Sequence, residues 1–265
     1  MRKKIEPNFF IIGAPKAATT SLSSLLAIHP EANMARGKET HFFSYDHFYK
    51  LGYDKYLKFF EHCYREKAIG DASTSYCRLR YHPFTIQRMK FHVPNARIIY
   101  MVRHPLQRME SAYTEHACTP GGQFFASINE AVRLMPMIID SSRYWEVFDA
   151  YRHAFGEPRV KIVWFEEYTA NTTAVFQDVC RFLEIDDKVV PDVNRARANS
   201  REEAPVRLAK IGRADVQLNT TWDEPTRRWV IDQIRDDNCK FLAHFNRPIN
   251  YWGDLFLSTA APEAD

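Results

Sequence analysis

Long apolar runs are missing from this 265-residue chain, and none reaches the roughly 18 residues that a membrane-spanning helix requires. Met1-Arg2-Lys3-Lys4 carries the charge of a secretory leader, but the apolar stretch behind it is short and runs straight into a loop. Paired cysteines are also missing. Cys63, Cys77, Cys118, Cys180 and Cys239 are odd in number and scattered, which argues against a disulfide framework and leads to the expectation of reduced thiols in the cytoplasm. A membrane-anchored enzyme would need an N-terminal helix that is not seen here, so a soluble bacterial-type protein is expected. No His/Cys/Asp/Glu cluster has a familiar metal-ligand spacing, so no metal site is expected. Charge of one sign is scarce as well: the net charge is +3 and no Lys/Arg run reaches five, so nucleic acid is not an expected partner. Without repeats or low-complexity segments, residues 1–265 read as one domain, with a disordered tail from about residue 256.

What is present begins at Phe9-Phe10-Ile11-Ile12, an apolar run that stops at Gly13 and continues as Ala14-Pro15-Lys16-Ala17-Ala18-Thr19-Thr20-Ser21. This reads as a strand, a loop, and a helix from Thr20 to His29. Unpaired N–H groups at a helix start favour an anion, and the helix dipole adds to them. Lys16 contributes a point charge, while Thr19, Thr20 and Ser21 contribute donors. The nucleoside-triphosphate loop G-x-x-x-x-G-K-[ST] is not matched, because Ala18 and Thr19 stand where its second glycine and its lysine belong. A plain strand–turn–helix with a surface lysine is the bland alternative.

A second such unit lies mid-chain. Arg97-Ile98-Ile99-Tyr100-Met101-Val102 reads as a buried strand and ends at Arg103-His104-Pro105. Proline suits a first helical turn, so Arg103 is expected at the carboxyl end of a strand, where open α/β sheets gather ligands. Ser111 lies two helical turns on and reaches the same anion only if that helix packs across the site. Further apolar runs at Ala68–Gly70 and Val160–Trp164 complete an α/β reading: a parallel sheet with helices on both faces. Asn171 to Leu183 reads as a helix with Val175, Phe176, Val179 and Phe182 on one face.

Together these segments resemble the sulfotransferases that use 3′-phosphoadenosine 5′-phosphosulfate (PAPS), which implies a P-loop-like fold. The family's first motif, roughly G-x-x-K-x-G-T-[ST]-x-L, is met by Gly13, Lys16, Thr19, Thr20 and Leu22, with Ala18 departing from it. Its second, roughly R-[ND]-P-x-[DE]-R-x-x-S-x-Y, is met by Arg103, Pro105, Arg108, Ser111 and Tyr113, with His104 and Gln107 departing. Lys38-Glu39-Thr40-His41-Phe42-Phe43 resembles the K-E-x-x-F-F stretch of the glycosaminoglycan branch, where the glutamate is the proposed base. A solvated Lys–Glu pair ahead of a core aromatic pair is the alternative for that string.

The resemblance implies that Lys16 with Ala17, Ala18, Thr19, Thr20 and Ser21 holds the 5′ end of the donor. Arg103 and Ser111 would hold its 3′-phosphate. Glu39 becomes the base, with Lys38 touching the donor or holding local charge; His41 and His116 are alternative bases. Asn199, Ser200 and Arg201 stand where relatives close a loop over the cofactor, although the glycine-rich basic version is absent. Gly70-Asp71-Ala72-Ser73-Thr74 lacks the lysine and proline of the glycosaminoglycan branch, so a sulfated polysaccharide is not carried over as substrate. Asp71 either lines the pocket or ends a strand. The acceptor is a small molecule, glycan or lipid, approached through aromatics from Phe42 to Tyr53 that line a cleft or fill the core. Segments Asp46–Phe60 and Thr119–Met137 are expected to cover that cleft, with Thr119-Pro120-Gly121-Gly122 as a hinge. Two rivals remain open: an ATP-dependent small-molecule kinase, which needs an acid at a strand end such as Glu166 or Glu167, and a non-catalytic nucleotide binder.

Overall fold

Five parallel strands carry the structure: β1 (Phe9–Gly13), β2 (Ala32–Met34), β3 (Ala68–Ala72), β4 (Arg97–Val102) and β5 (Val160–Trp164), in the order β2-β3-β1-β4-β5. The computed structural model describes residues 5–190, 192 and 203–257. β1 sits at the centre with every residue buried, as an unbroken apolar run in a doubly covered sheet must be. Its register is set by packing: Phe9 lies opposite Gly70, and a Cβ at Gly70 would come within 2.2 Å of the Phe9 ring. Four strands lie where the apolar runs place them. β2 is additional, because three residues interrupted by Asn33 carry no readable period.

The described helices are α1 (Thr19–Ala27), α2 (Asp46–Tyr49), α3 (Tyr53–Leu57), α4 (Thr85–His92), α5 (Pro105–Ala117), α6 (Ile128–Leu134), α7 (Pro136–Asp140), α8 (Tyr144–Phe155), α9 (Phe165–Ala170), α10 (Thr172–Leu183), α11 (Ala204–Lys210) and α12 (Glu224–His244). Right-handed crossovers sort them to two faces. The chain leaves β1 toward β2 in one direction and β4 toward β5 in the other, so α1 and α8 cover opposite faces. On the first face the Ser21 and Tyr168 hydroxyls meet at 2.6 Å and His29 packs on Phe176, which joins α1 to α9 and α10. On the second, Phe148 of α8 meets Phe241 of α12, and Asp237 accepts the Trp145 and Glu146 N–H groups that open α8. Burial pushes the Asp237 carboxyl up to about 6.

Two sequence expectations need correction. The inward stripe of α10 is Phe176, Val179, Cys180 and Leu183, with Val175 and Phe182 only partly covered, since the stripe follows the face turned to β5. Order also persists past the expected start of the tail: Phe256 is buried and packs against Trp252. Residues 258–265 lie outside the described residues. Among the described residues no helix is long and apolar enough to cross a membrane.

Candidate functional site

The loops that follow β1, β3 and β4 leave the same carboxyl edge of the sheet. After β1 the loop turns on Lys16 and Ala18, both in the left-handed region at φ 70° and 67°. Ala14 donates its N–H to the Met101 carbonyl at 2.6 Å, which ties the loop to β4. Gly13 has φ +142°, and a Cβ there would stand 2.5 Å from Cys77 Sγ, so this corner admits only glycine. α1 then begins with no side-chain cap. Its first N–H groups, which have no preceding helical carbonyl to bond, follow directly on a left-handed turn, the backbone pattern from which anion-binding nests are built. Ala17 and Thr19 have buried side chains, and the Ala17 N–H donates to the Ala14 carbonyl at 3.2 Å inside the loop, whereas Thr20 is half-exposed. Ser21 shares its hydroxyl with Tyr168.

Lys16 reaches across to α5, where its Nζ lies 2.8 Å from Glu115. Arg207 of α11 grips the same carboxylate in a fork, at 3.0 and 2.8 Å. Burial acts to raise the Glu115 carboxyl, but the bonds from Arg207 and Lys16 outweigh it and hold the group at about 2. Arg103 donates from Nη1 to the Lys16 carbonyl at 3.1 Å and stacks on Phe165 with 4.2 Å to the ring centre. The Tyr144 hydroxyl fixes its backbone carbonyl at 2.5 Å. Arg103 therefore braces the loop from beside. The Ser111 hydroxyl has no side-chain hydrogen-bond partner among the described residues and lies one turn before Glu115, on the same face of α5.

The other motif positions in α5 have structural work. Arg108 is buried, donating from Nε to Ser142 Oγ at 2.7 Å and from Nη2 to the Ile138 carbonyl. His104 stands where Asn or Asp is usual in the family motif, and its Nδ1 accepts the Gln107 N–H at 3.5 Å as the helix cap. Its own N–H goes to Glu166 at 2.7 Å. Glu166 thus accepts through one carboxylate oxygen, and Glu167 pairs with Arg247.

Glu39 lies at the end of β3, its N–H on the Ala72 carbonyl at 3.1 Å. One carboxylate oxygen accepts the Thr74 N–H at 2.6 Å and the Thr74 hydroxyl at 3.1 Å; the other holds Lys38. Lys38 is thus committed to Glu39. His41 Nδ1 meets Ser75 Oγ at 2.7 Å, and its pKa is lowered by burial against the opposing pull of Glu39. Thr40 sits between them and donates to Asp71 at 2.6 Å. Asp71 is fully buried and accepts also from Ser73, Tyr56 and Tyr76, so it anchors the Glu39 loop rather than lining a cleft. The short helix Thr74–Cys77 joins the two halves of the site, with Thr74 on Glu39 and Cys77 under Gly13.

Beside the loop lies a small open cleft walled by Pro15, Arg78, Arg108, Ala112, His116 and Ser141. His116 is half-buried there, and burial first, then the charge of Arg78, lower its pKa. Phe42 and Phe43 are core, stacked on and against Tyr56, whereas Tyr45 stays half-exposed between His41 and His82. The turn expected to hinge a lid is pinned: Arg213 donates to the Ala117 and Gly122 carbonyls at 2.7 and 2.8 Å. Asn199, Ser200 and Arg201 fall outside the described residues. Sequence reasoning missed Glu115 and Arg207. Glu115 stands four residues after Ser111 and was findable by helical spacing, but nothing local signals Arg207.

Comparison with known proteins agrees with this geometry. The sulfotransferase domain family profile matches residues 6–209. A membrane-associated sulfotransferase, kil1, of Dictyostelium discoideum is 34% identical over 110 residues, covering 40% of this chain and 22% of that protein. Human heparan sulfate glucosamine 3-O-sulfotransferase 6 is 30% identical over 123 residues, covering 46% of this chain and 34% of that protein. The matched region thus spans between a fifth and about a third of these relatives. A sulfotransferase structure from Alicyclobacillus acidocaldarius superposes with a TM-score of 0.73 at 26% identity, over 94% of this chain and 99% of that one. Mouse sulfotransferase SULT7A1, solved with PAP, has a TM-score of 0.53 at 13% identity over 92% and 91% of the two chains, which speaks to fold alone. With the profile covering most of its length, this chain belongs to the sulfotransferase domain family.

Proposed function

We propose that this chain transfers a sulfuryl group from PAPS to a hydroxyl or amine of a small-molecule, glycan or lipid acceptor. The observation that carries the donor assignment is the uncapped start of α1, flanked by Lys16 and braced by Arg103. A phosphate fits there because unpaired N–H groups and a lysine converge without a carboxylate inside the turn. When bound, the donor supplies an activated sulfuryl group on a phosphate oxygen. Lys16 and the N–H groups of Ala18 to Thr20 face the negative charge that grows on that oxygen. Arg103, with Ser111, takes the 3′-phosphate through its fork of donors. Lys16 exchanges Glu115 for the donor.

Glu39 accepts the acceptor's proton, and Thr74 and Lys38 orient its carboxylate for that task. His116 lines the neighbouring cleft and is the alternative base. We place Asn199, Ser200 and Arg201 at the cofactor's 3′ side from the motif alone, and the enzyme in the cytoplasm from its unpaired cysteines.

The test is calorimetric binding of 3′-phosphoadenosine 5′-phosphate without magnesium, beside ATP with magnesium and an Arg103→Ala control. Micromolar binding of the first ligand, weakened about 30-fold or more in the variant, supports the reading. Binding of ATP alone overturns it in favour of a kinase.

A further inference from the structure

Arg78 directly follows the short helix that links Glu39 to the phosphate loop, and its N–H closes that turn on the Ser75 carbonyl at 3.0 Å. Its side chain is half-buried. The guanidinium nevertheless makes no hydrogen bond or ion pair among the described residues, and its Nε is shut off from solvent without a partner. The arginines that share its surroundings are committed: Arg80 forks onto Glu146, and Arg108 donates to Ser142 and to the Ile138 carbonyl. Two acids that share a surface hollow with Arg78 are spent as well, since Asp140 serves Arg143 and Tyr81 while Glu146 serves Arg80. A half-buried guanidinium with no protein acceptor among the described residues keeps its outer donors for a ligand oxygen.

The position of this cation is informative. It walls the cleft shared with Pro15 of the phosphate loop and His116 of α5. Its charge also bears on His41, two residues from Glu39. The guanidinium therefore borders the phosphate loop across this cleft and lies within electrostatic reach of the segment that carries the candidate base.

We propose that Arg78 selects an acceptor that carries an anionic group, a carboxylate, sulfate or phosphate, near the hydroxyl or amine that is sulfated. Arginine suits this because its planar fork matches such oxygens pairwise. The inference rests on the sulfuryl-transfer reading and adds to it the charge class of the acceptor.

The probe is sodium sulfate, titrated calorimetrically into two complexes of the wild-type protein, one with 3′-phosphoadenosine 5′-phosphate and one with intact PAPS without acceptor. Sulfate is expected to bind both, and Arg78→Gln to weaken it about tenfold or more while nucleotide affinity stays within about twofold. Arg78→Lys, which keeps the charge and loses the fork, falls between and guards against misfolding of the first variant. Binding to the 3′-phosphoadenosine 5′-phosphate complex alone would put the anion where the sulfuryl group had been and overturn the acceptor assignment. So would unchanged affinity in Arg78→Gln, or no sulfate binding to either complex. Failure of the nucleotide itself to bind wild type defeats the sulfuryl-transfer reading, and this proposal with it, in a separate and recognisable way.

Discussion

Replacing Glu115 by glutamine keeps the shape of the side chain and removes the charge that Lys16 and Arg207 share. The carboxyl lies at about 2 in the fold against 4.5 for the free group, a gap of 2.5 units. At about 1.36 kcal/mol per unit this sets an upper bound of about 3.4 kcal/mol on the stabilisation at neutral pH. Glu115 is one-third exposed and its partners about one-fifth, so solvent screening brings the expected loss to about 2 kcal/mol. The thermal midpoint should fall by about 4–8 °C. Because the folded value is depressed, the stabilisation is complete above the unfolded value of 4.5 and disappears as pH falls toward 2. Urea unfolding of wild type and Glu115→Gln at pH 7 and pH 4 reads this directly. The difference between them should narrow by about 0.5–0.8 kcal/mol at the lower pH. A difference that does not change with pH would show that Glu115 acts by packing, and the charge argument would be refuted.

Other perturbations have equally definite outcomes. Glu39→Gln should lower turnover by about 10²–10⁴-fold and leave binding of 3′-phosphoadenosine 5′-phosphate within about threefold, because the Thr74 contacts persist through an amide oxygen. Full activity in that variant would pass the role of base to His116. Gly70→Ala should destabilise by about 1–3 kcal/mol in denaturant unfolding, since the new methyl meets the Phe9 ring in the centre of the sheet. Wild-type stability would mean that β1 and β3 are not packed as described.

Much of the site was legible because its parts sit at the ends of strands. A run such as Phe9–Ile12 or Arg97–Val102 announces a buried strand, and the residue that follows is delivered to the carboxyl edge by chain connectivity alone. Lys16 and Arg103 needed no further information to be placed there. Proline after His104 marked the start of α5, and the structure adds that the imidazole itself caps the helix. Asp71 was ambiguous from sequence, as a strand-end acid always is. Only the arrival of Thr40, Tyr56 and Tyr76 around it turns it into an anchor.

The sequence by itself determined the periodic and local features: four strands of the parallel sheet, the glycine-led loop, the helix starts, and the order in which charged residues follow the strands. These depend on neighbours within a few positions, where hydrophobic period and backbone sterics act. Tertiary structure alone decided which charges meet. Lys16 finds Glu115 across 99 residues and Arg207 finds it across 92, while the Arg78 guanidinium finds no partner among the described residues. β2, three residues long, exists because β3 offers it an edge. Pairing of distant side chains is set by how helices pack on the sheet, and that geometry leaves no period in the chain.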